Sequence, residues 1–322
     1  MSRPGRGAQR LLAILAAGVL SGCTGVAGPV RTPPPPPPAV SPSPIPTHTT
    51  PAPVASAATP TAAPPTPSLA VRPPRVRGVL NFRDVAGWKA SLPVAGGGSM
   101  ARGVVYRSGR LKDLTDADRR ELVRAGVSYI IDLRTTQVAR RSPDPAIKGA
   151  RYRHVNLFGV YSTGTPRYAS ATEAIADRLE MNRRFVSDPG QRKRTASVLK
   201  IISRASGPVI IHCTEGKDRT GWIAALLQLI AGASEADVMA DYLASNRFRH
   251  DAVEARYAKV LKARGRKAAD IDRLLYIVDE SYLLAGLEEL RERYGDLDTF
   301  VSEGLGVSAD TVTALRARLR DD

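Results

Sequence analysis

Residues 208–221 read PVIIHCTEGKDRTG, and they are the most informative part of the chain for both its architecture and its chemistry. The apolar residues 208–211 predict a buried strand, and the run WIAALLQLI at residues 222–230 predicts a helix. The segment between them is therefore a tight loop that leads from a strand into a helix. Backbone N–H groups at a helix N-terminus have no intrahelical partner, so such a loop is suited to binding an anion.

Two side chains of this loop, Cys213 and Arg219, predict chemistry on a phosphate group. Nearby cations and a helix N-terminus lower the pKa of a cysteine from about 8.5 to about 3.5–7.5, which favours the nucleophilic thiolate. The planar guanidinium of arginine can bind two phosphate oxygens at once. The sequence thus predicts a cysteine-dependent phosphatase, and the alternative is that Cys213 is a buried core residue.

The other residues of the loop have predicted supporting roles. His212 is expected to hydrogen-bond the loop backbone and fix the position of Cys213, and Thr220 could donate its hydroxyl to the sulfur when the thiolate leaves. Lys217 either faces solvent or contacts a second anionic group of the substrate. Gly216 lets the loop curl where a side chain would clash. The residues expected to bind substrate are Thr214, Glu215, Gly216, Lys217, Thr220, His212 and Asp84.

The loop resembles the HCxxGKDRTG loop of the atypical bacterial tyrosine and dual-specificity phosphatases, a family with mycobacterial and listerial members. Other segments are also similar to that family, and the likeness covers roughly residues 78–320. These segments are NFRDVAG at residues 81–87, YRS at 106–108, IDLRT at 131–135 and ADYLASN at 240–246.

The resemblance implies an α/β phosphatase fold with a mostly parallel central sheet flanked by helices. It also implies a cysteinyl-phosphate intermediate, no metal and no cofactor. The implied substrates are phosphotyrosine, sometimes phosphoserine or phosphothreonine, and phosphoinositides. The residue pattern agrees with this fold class, because strands and helices alternate and the C-terminal half is helical.

Local sequence patterns predict the helices and strands of the domain. Thr115 is a predicted N-cap for a helix that ends before Gly126, and Ser308 is a predicted cap for the last helix. Predicted strands cover 104–106, 128–133, 151–157 and the segment from 208. Predicted helices cover 115–124, 170–187, 191–205, 235–244, 247–264, 270–293 and 309–319. The basic residues 259–267 are either a solvated helix end or part of the mobile lid known in the resembling family.

Three aspartates compete for the role of general acid, because neither tryptophan precedes a Pro-Asp pair. Asp218 lies in the loop and is the first choice. Asp132 ends a predicted strand, at the sheet edge where ligands usually bind, and Asp84 lies in the NFRDVAG segment. For Asp132 and Asp84 the alternative is an ion pair with the neighbouring Arg134 or Arg83. For Asp218 it is a hydrogen bond that stabilises the loop.

The N-terminal region predicts secretion and lipid anchoring. Residues 1–22 combine basic residues with an apolar core too short to span a bilayer, as in a lipoprotein signal peptide. The LSGC sequence at 20–23 resembles a lipobox, which implies cleavage before Cys23, lipid on its sulfur and an extracytoplasmic, membrane-anchored protein. The alternative is an ordinary signal peptide. Residues 23–77 predict a disordered Pro/Ala/Thr-rich linker, and residues 78–322 the phosphatase domain.

Net charge and cysteine content argue against several functions that compete with phosphate hydrolysis. Residues 1–77 contain seven arginines and no acidic residue, so of the formal charge of +16 the domain at 78–322 carries +9. This charge suits anionic substrates, and no motif predicts nucleic-acid binding. Arsenate reduction commonly needs resolving cysteines, and the chain has only two cysteines in all. A catalytically inactive, phosphate-binding surface lipoprotein is the remaining alternative.

Overall fold

The structure is a computed structural model, and it describes residues 73–159 and 168–321. The predicted signal peptide at 1–22, Cys23 and most of the predicted linker at 23–77 therefore lie outside the described residues. Within the described ranges, no helix has both the length and the apolar composition needed to cross a bilayer.

A five-stranded sheet forms the centre of the fold, in the order β1-β3-β6-β4-β5. Strands β3, β6, β4 and β5 are parallel, and β1 runs antiparallel to β3 at one edge. A separate two-stranded antiparallel sheet joins β2 to β7. The strands are β1 Arg83–Asp84, β2 Ser99–Met100, β3 Val105–Ser108, β4 Tyr129–Asp132, β5 Arg151–His154, β6 Val209–His212 and β7 Arg320–Asp321.

Helices surround the sheet and make up most of the C-terminal half, which confirms the predicted α/β fold class. They are α1 Asp116–Arg124, α2 Thr136–Arg141, α3 Ala171–Ser187, α4 Pro189–Ser203, α5 Arg219–Ala231, α6 Glu235–Phe248, α7 His250–Arg264, α8 Arg266–Tyr276, α9 Glu280–Tyr294, α10 Leu297–Thr299 and α11 Ala309–Leu319. A π-helical turn, Phe300–Gly304, follows α10.

Local capping explains several of the helix boundaries. The predicted cap Thr115 forms a capping box with Asp118, and Ser308 caps α11 as predicted. One prediction was wrong: residues 270–293 form two helices, because the backbone becomes extended at Ile277 and Asp279 caps the second helix. Helix α2 was not predicted.

The core is built around β6 and α5. All four residues of β6 are buried between β3 and β4, and α5 is apolar on nearly every side, as a helix enclosed by protein requires. Beneath the start of α5, the Phe185 ring stacks on the Trp222 ring with centroids 5.5 Å apart. Fully burying one such aromatic side chain contributes about 1.5–3 kcal/mol, so the packing holds α5 firmly against the sheet.

The strand register brings three polar residues to one edge of the sheet. His212 is level with Ser108 on one side and with Asp132 on the other. Because these strands are parallel, their carboxyl ends meet at the same edge, which is where ligands bind in sheets of this kind. The loop that contains Cys213 begins at that edge.

Candidate active site

The loop between β6 and α5 forms a cradle around the sulfur of Cys213. Cys213 is buried, and the Gly216 N–H donates to its Sγ at 3.3 Å. Gly216 has φ +68, and a Cβ at this position would lie 2.5 Å from the backbone of Ser108. The loop can therefore close against β3 only with glycine at this position.

The surroundings of Cys213 favour the thiolate. Burial alone would raise the pKa of this thiol, but the cation of Arg219 and the hydroxyl and N–H of Thr220 outweigh it, and the pKa is lowered overall. The Thr220 hydroxyl is buried and has no well-aligned hydrogen-bond partner among the described residues, so it remains available to the sulfur. A lowered pKa is what a nucleophilic cysteine requires.

Arg219 is the first residue of α5, and its guanidinium is held from two sides. It donates to the Leu133 carbonyl at 3.2 Å, and it lies over the Phe158 ring at 4.5 Å from the centroid. Its Nε is buried without a hydrogen-bond partner in the described part of the chain. A buried guanidinium N–H without a partner is explained by a ligand that accepts hydrogen bonds.

Lys217 and Asp218 form an ion pair inside the cradle. The Lys217 Nζ lies 2.8 Å from Asp218 Oδ1, and the lysine side chain is only 1% exposed. The alternative that Lys217 faces solvent is therefore wrong. Burial would raise the pKa of Asp218, but the cations of Lys217 and Arg178, the latter from α3, lower it below its ordinary value. Burial, opposed by Asp218, lowers the pKa of Lys217.

Asp132 lies beside the loop in a buried ion pair. Both of its oxygens accept from the Arg134 guanidinium, at 2.8 and 2.7 Å, and the Tyr152 hydroxyl donates to it at 2.8 Å. Burial would raise the pKa of Asp132, but the hydrogen bonds from Arg134 and the nearby His212 outweigh it and hold the pKa at about 2. This is the ion-pair alternative, and a carboxylate held in this way carries no proton to donate near neutral pH.

His212 connects this ion pair to the loop. Its Nδ1 lies 3.3 Å from the Cys213 carbonyl, and its Nε2 lies 3.0 Å from Asp144 Oδ2. The latter contact is close enough for electrostatic attraction, although its angle does not satisfy hydrogen-bond geometry. Asp132, Asp144 and His212 could reach one metal ion, but both carboxylates already contact the guanidinium of Arg134. The cation that organises this group is an arginine.

Asp84 is directed away from the loop chemistry. Its carboxylate accepts from the N–H groups of Ala86 and Gly103, at 2.9 and 2.8 Å, and so stabilises the backbone after β1. Burial raises its pKa. The alternative, an ion pair with Arg83, is wrong, because Arg83 pairs with Asp241 instead. This placement gives no support to a substrate-binding role for Asp84.

The two other loop side chains have partners of their own. The Thr214 hydroxyl accepts a long bond of 3.5 Å from Arg219. Glu215 pairs with Arg249, a buried arginine between α6 and α7 that also donates to the Tyr276 carbonyl at the end of α8. Sequence reasoning missed Arg249, and no local pattern pointed to it. Residues 261–267, within the basic stretch, are exposed, as in a solvated helix end.

Four further residues behind the loop were also missed as parts of the site: Asn81, Arg83, Arg107 and Asp241. All four are buried, and they form one hydrogen-bonded group with the loop backbone. The only signal for them was that each falls in a segment with family resemblance, and spacing alone assigned them no role.

Comparison with known proteins agrees with the geometry. The sequence model of the tyrosine phosphatase family matches residues 74–321 of this chain. The triple specificity protein phosphatase PtpB of Mycobacterium tuberculosis is 28% identical over 291 residues, covering 78% of this chain and 99% of its own. A Nostoc commune tyrosine-protein phosphatase is 34% identical over 141 residues, which cover 43% of this chain and 47% of its own.

Among solved structures, the Siw14 catalytic core aligns with 64% of this chain and 96% of its own, at 14% identity and a TM-score of 0.28. A structural likeness this low adds nothing to the sequence comparisons.

Proposed function

The chain belongs to the tyrosine phosphatase family and is a phosphatase, and from this we propose that it hydrolyses phosphate monoesters through a phosphocysteine at Cys213. The observation that carries the proposal is the buried Arg219 Nε, which has no hydrogen-bond partner in the described part of the chain and belongs to the cation that lowers the pKa of the buried Cys213. A phosphate dianion would accept a hydrogen bond from Arg219 Nε and present its phosphorus to the thiolate.

In the first step, the Cys213 thiolate attacks phosphorus, and the bond between phosphorus and the substrate oxygen breaks. Asp218 gives its proton to the leaving oxygen. In the second step, the Asp218 carboxylate takes a proton from water, the water oxygen attacks phosphorus, and the S–P bond breaks to release phosphate and restore the thiolate. The Thr220 hydroxyl stabilises the departing sulfur, and Arg219 neutralises charge on the transferred group.

We assign the acid role to Asp218 rather than Asp132. Asp218 lies within the cradle, and only Lys217 contacts its carboxylate closely in the described structure. A bound phosphate dianion would compete for Lys217 and return the pKa of Asp218 toward a value that permits proton transfer. Asp132, by contrast, is fully occupied by Arg134 and Tyr152.

The proposed substrates are phosphotyrosine, phosphoserine or phosphothreonine in proteins, and phosphoinositides. The name of the Mycobacterium tuberculosis relative, a triple specificity protein phosphatase, supports this breadth. The net positive charge of residues 78–322 also favours anionic substrates.

We further propose that the protein is extracytoplasmic and lipid-anchored through Cys23, which the lipobox-like sequence at 20–23 supports.

Phosphate release tests the proposed reaction. The full chain should hydrolyse a phosphotyrosyl peptide, a phosphoseryl peptide and a phosphoinositide, and Cys213→Ser should abolish all three activities. A protein that binds phosphate without turning over any ester would instead be the inactive binding lipoprotein.

For the anchor, the wild type should incorporate radiolabelled fatty acid in a bacterial host. Equal labelling of Cys23→Ala would contradict lipidation at that cysteine.

A further inference from the structure

Three successive carbonyls of the catalytic loop accept hydrogen bonds from outside the loop. The Thr214 carbonyl accepts from the Arg110 N–H at 3.1 Å, and the Glu215 carbonyl accepts from Asn81 Nδ2 at 3.3 Å. The Gly216 carbonyl accepts from Asn81 Nδ2 at 2.7 Å and from Arg107 Nη2 at 3.0 Å.

These bonds fix the direction of the amide groups on the other side of each peptide. In a trans peptide the C=O and N–H point in opposite directions, so a carbonyl held outward directs the next N–H inward. The peptide between Glu215 and Gly216 shows this directly: its carbonyl bonds Asn81, and its N–H donates to Cys213 Sγ at 3.3 Å. The same geometry turns the N–H of Lys217 toward the interior of the loop.

Asn81 is held in place by strained backbone and by an arginine. It is the one non-glycine residue with positive φ in the described part of the chain, at φ +61. Its amide oxygen accepts from Arg83, which leaves the amide nitrogen free to donate to both loop carbonyls. A left-handed residue that is 2% exposed is expected where a specific contact fixes it.

Asp241 on α6 holds the two arginines. Its Oδ1 lies 3.0 Å from Arg83 Nε, and its Oδ2 lies 2.8 Å from Arg107 Nη1. The Ser245 hydroxyl, one helical turn later, accepts from both guanidinium groups at 3.2 and 3.4 Å. Asp241 therefore fixes the positions of both guanidinium groups behind the loop.

From this arrangement we propose that Asn81 and Arg107, anchored by Asp241, are positioning residues that hold the loop carbonyls outward so that its amides point at the sulfur and at bound phosphate. The part concerning phosphate rests on the proposed function, whereas the part concerning the sulfur does not. The clamp variants retain the groups that act on Cys213 directly, which are Arg219, Thr220 and Asp218.

The test measures the thiol directly in the full chain. Alkylation of Cys213 by iodoacetamide is followed against pH by peptide mass spectrometry, which separates it from Cys23, the only other cysteine. The variants are Asn81→Ala, which removes the donor, and Arg107→Lys, which keeps a cation for Asp241 but loses the fork that also reaches Gly216. We expect each to raise the alkylation midpoint by about 1 pH unit, the effect of misdirecting a hydrogen bond to the thiolate.

Asn246→Ala is the matched control, because Asn246 also clamps backbone, at Val278 with bonds of 2.7 and 2.8 Å, but does not contact the loop. It should lower the unfolding midpoint and leave the Cys213 alkylation midpoint unchanged. If Asn81→Ala does not fold, Arg107→Lys alone decides. A folded Asn81→Ala or Arg107→Lys with the wild-type alkylation midpoint would overturn the clamp.

Activity separates this inference from the function on which it partly rests. If the wild type hydrolyses a phosphotyrosyl peptide, each clamp variant should lose about 10-fold or more in kcat/KM, since misplaced oxyanion donors cost catalysis strongly. If the wild type hydrolyses no phosphate ester while the clamp variants still shift the alkylation midpoint, the proposed function fails and the clamp on the sulfur stands.

Discussion

The ammonium of Lys217 and the carboxylate of Asp218 form a buried ion pair, 2.8 Å from Nζ to Oδ1, between residues adjacent in the chain. The pair keeps Asp218 ionised while the cradle contains no anion, since the pKa of this carboxyl is lowered. A general acid must be protonated when the leaving oxygen departs. In the proposed mechanism, the bound phosphate dianion competes with Asp218 for Lys217, so binding of the dianion favours protonation of Asp218.

Removing Lys217 should shift the pH dependence of catalysis. In Lys217→Met the pKa of Asp218 rises, so its protonated form persists to higher pH and the basic limb of the kcat/KM profile moves upward. A cation within hydrogen-bond distance lowers a carboxyl pKa by about 1–3 units, so the limb should move by about 1 unit or more. Lys148→Met removes the same charge from an exposed position and should leave the limb in place. An unmoved limb in Lys217→Met would be inconsistent with Asp218 as the acid.

Asp218→Asn should lower kcat most for substrates whose leaving oxygen must be protonated. Positioned acids contribute about 10²–10⁴ in rate, so turnover of phosphotyrosine should fall within that range. An aryl phosphate whose phenol is strongly acidic needs no proton on its leaving oxygen, so kcat for this ester should fall much less. Comparing kcat for the two esters measures the difference. Equal losses on both would indicate that Asp218 acts only by stabilising the loop.

Asp132 should affect stability and its pH dependence. Its pKa is lowered to about 2 in the folded protein, so its stabilising contribution is present above about pH 4 and is lost as pH falls through 2. A shift of this size corresponds to about 2.5 kcal/mol of unfolding free energy. Urea unfolding between pH 5 and pH 2 should show this loss in the wild type, and Asp132→Asn should lack it. A variant as acid-sensitive as the wild type would disprove this role for the carboxylate.

Gly216→Ala should abolish activity and destabilise the fold, because its Cβ would lie 2.5 Å from the Ser108 backbone. Gly149 is a matched control: it also has positive φ, at +88, but no atom lies within 4 Å of an added Cβ. Gly149→Ala should therefore lose only the backbone term, about 1–2 kcal/mol in thermal or urea unfolding, and keep full kcat. Comparable turnover by the two variants would show that the close approach to β3 is unimportant.

The parts of the structure that were predictable are those fixed by neighbouring residues. The strand–loop–helix at Cys213 and the caps Thr115 and Ser308 follow from local patterns. The break between α8 and α9 does not, because the apolar periodicity continues across Ile277 and only the extended backbone there ends the helix.

The two predicted ion-pair alternatives show where local reasoning succeeds and fails. Asp132 and Arg134 are two residues apart, and the turn in which the Arg134 N–H donates to Asp132 Oδ1 at 2.9 Å brings the two side chains together. Arg83 and Asp84 are consecutive in β1, so their side chains point to opposite faces and cannot pair. The true partner of Arg83 is Asp241, 158 residues later, which spacing cannot reveal.

The burial of Lys217 was equally unpredictable from sequence. A lysine in a loop is almost always exposed unless it is paired. Its partner, Asp218, is adjacent, but α3 contributes the nearby cation Arg178, and the packing of that helix is a tertiary property. The charges at the cradle therefore come partly from residues adjacent in the sequence, whereas the burial of Lys217 depends on elements that are distant in the sequence.

The most direct test of the account is to trap the covalent intermediate. The full chain is mixed with a ³²P-labelled phosphotyrosyl peptide, quenched within milliseconds in alkaline denaturant, digested and analysed by mass spectrometry. Label should appear on the peptide that contains Cys213 as an S–P bond, and it should be absent from Cys213→Ser. Rapid turnover with no phosphorus on that sulfur, or label on another residue, would contradict the reaction assigned to this site.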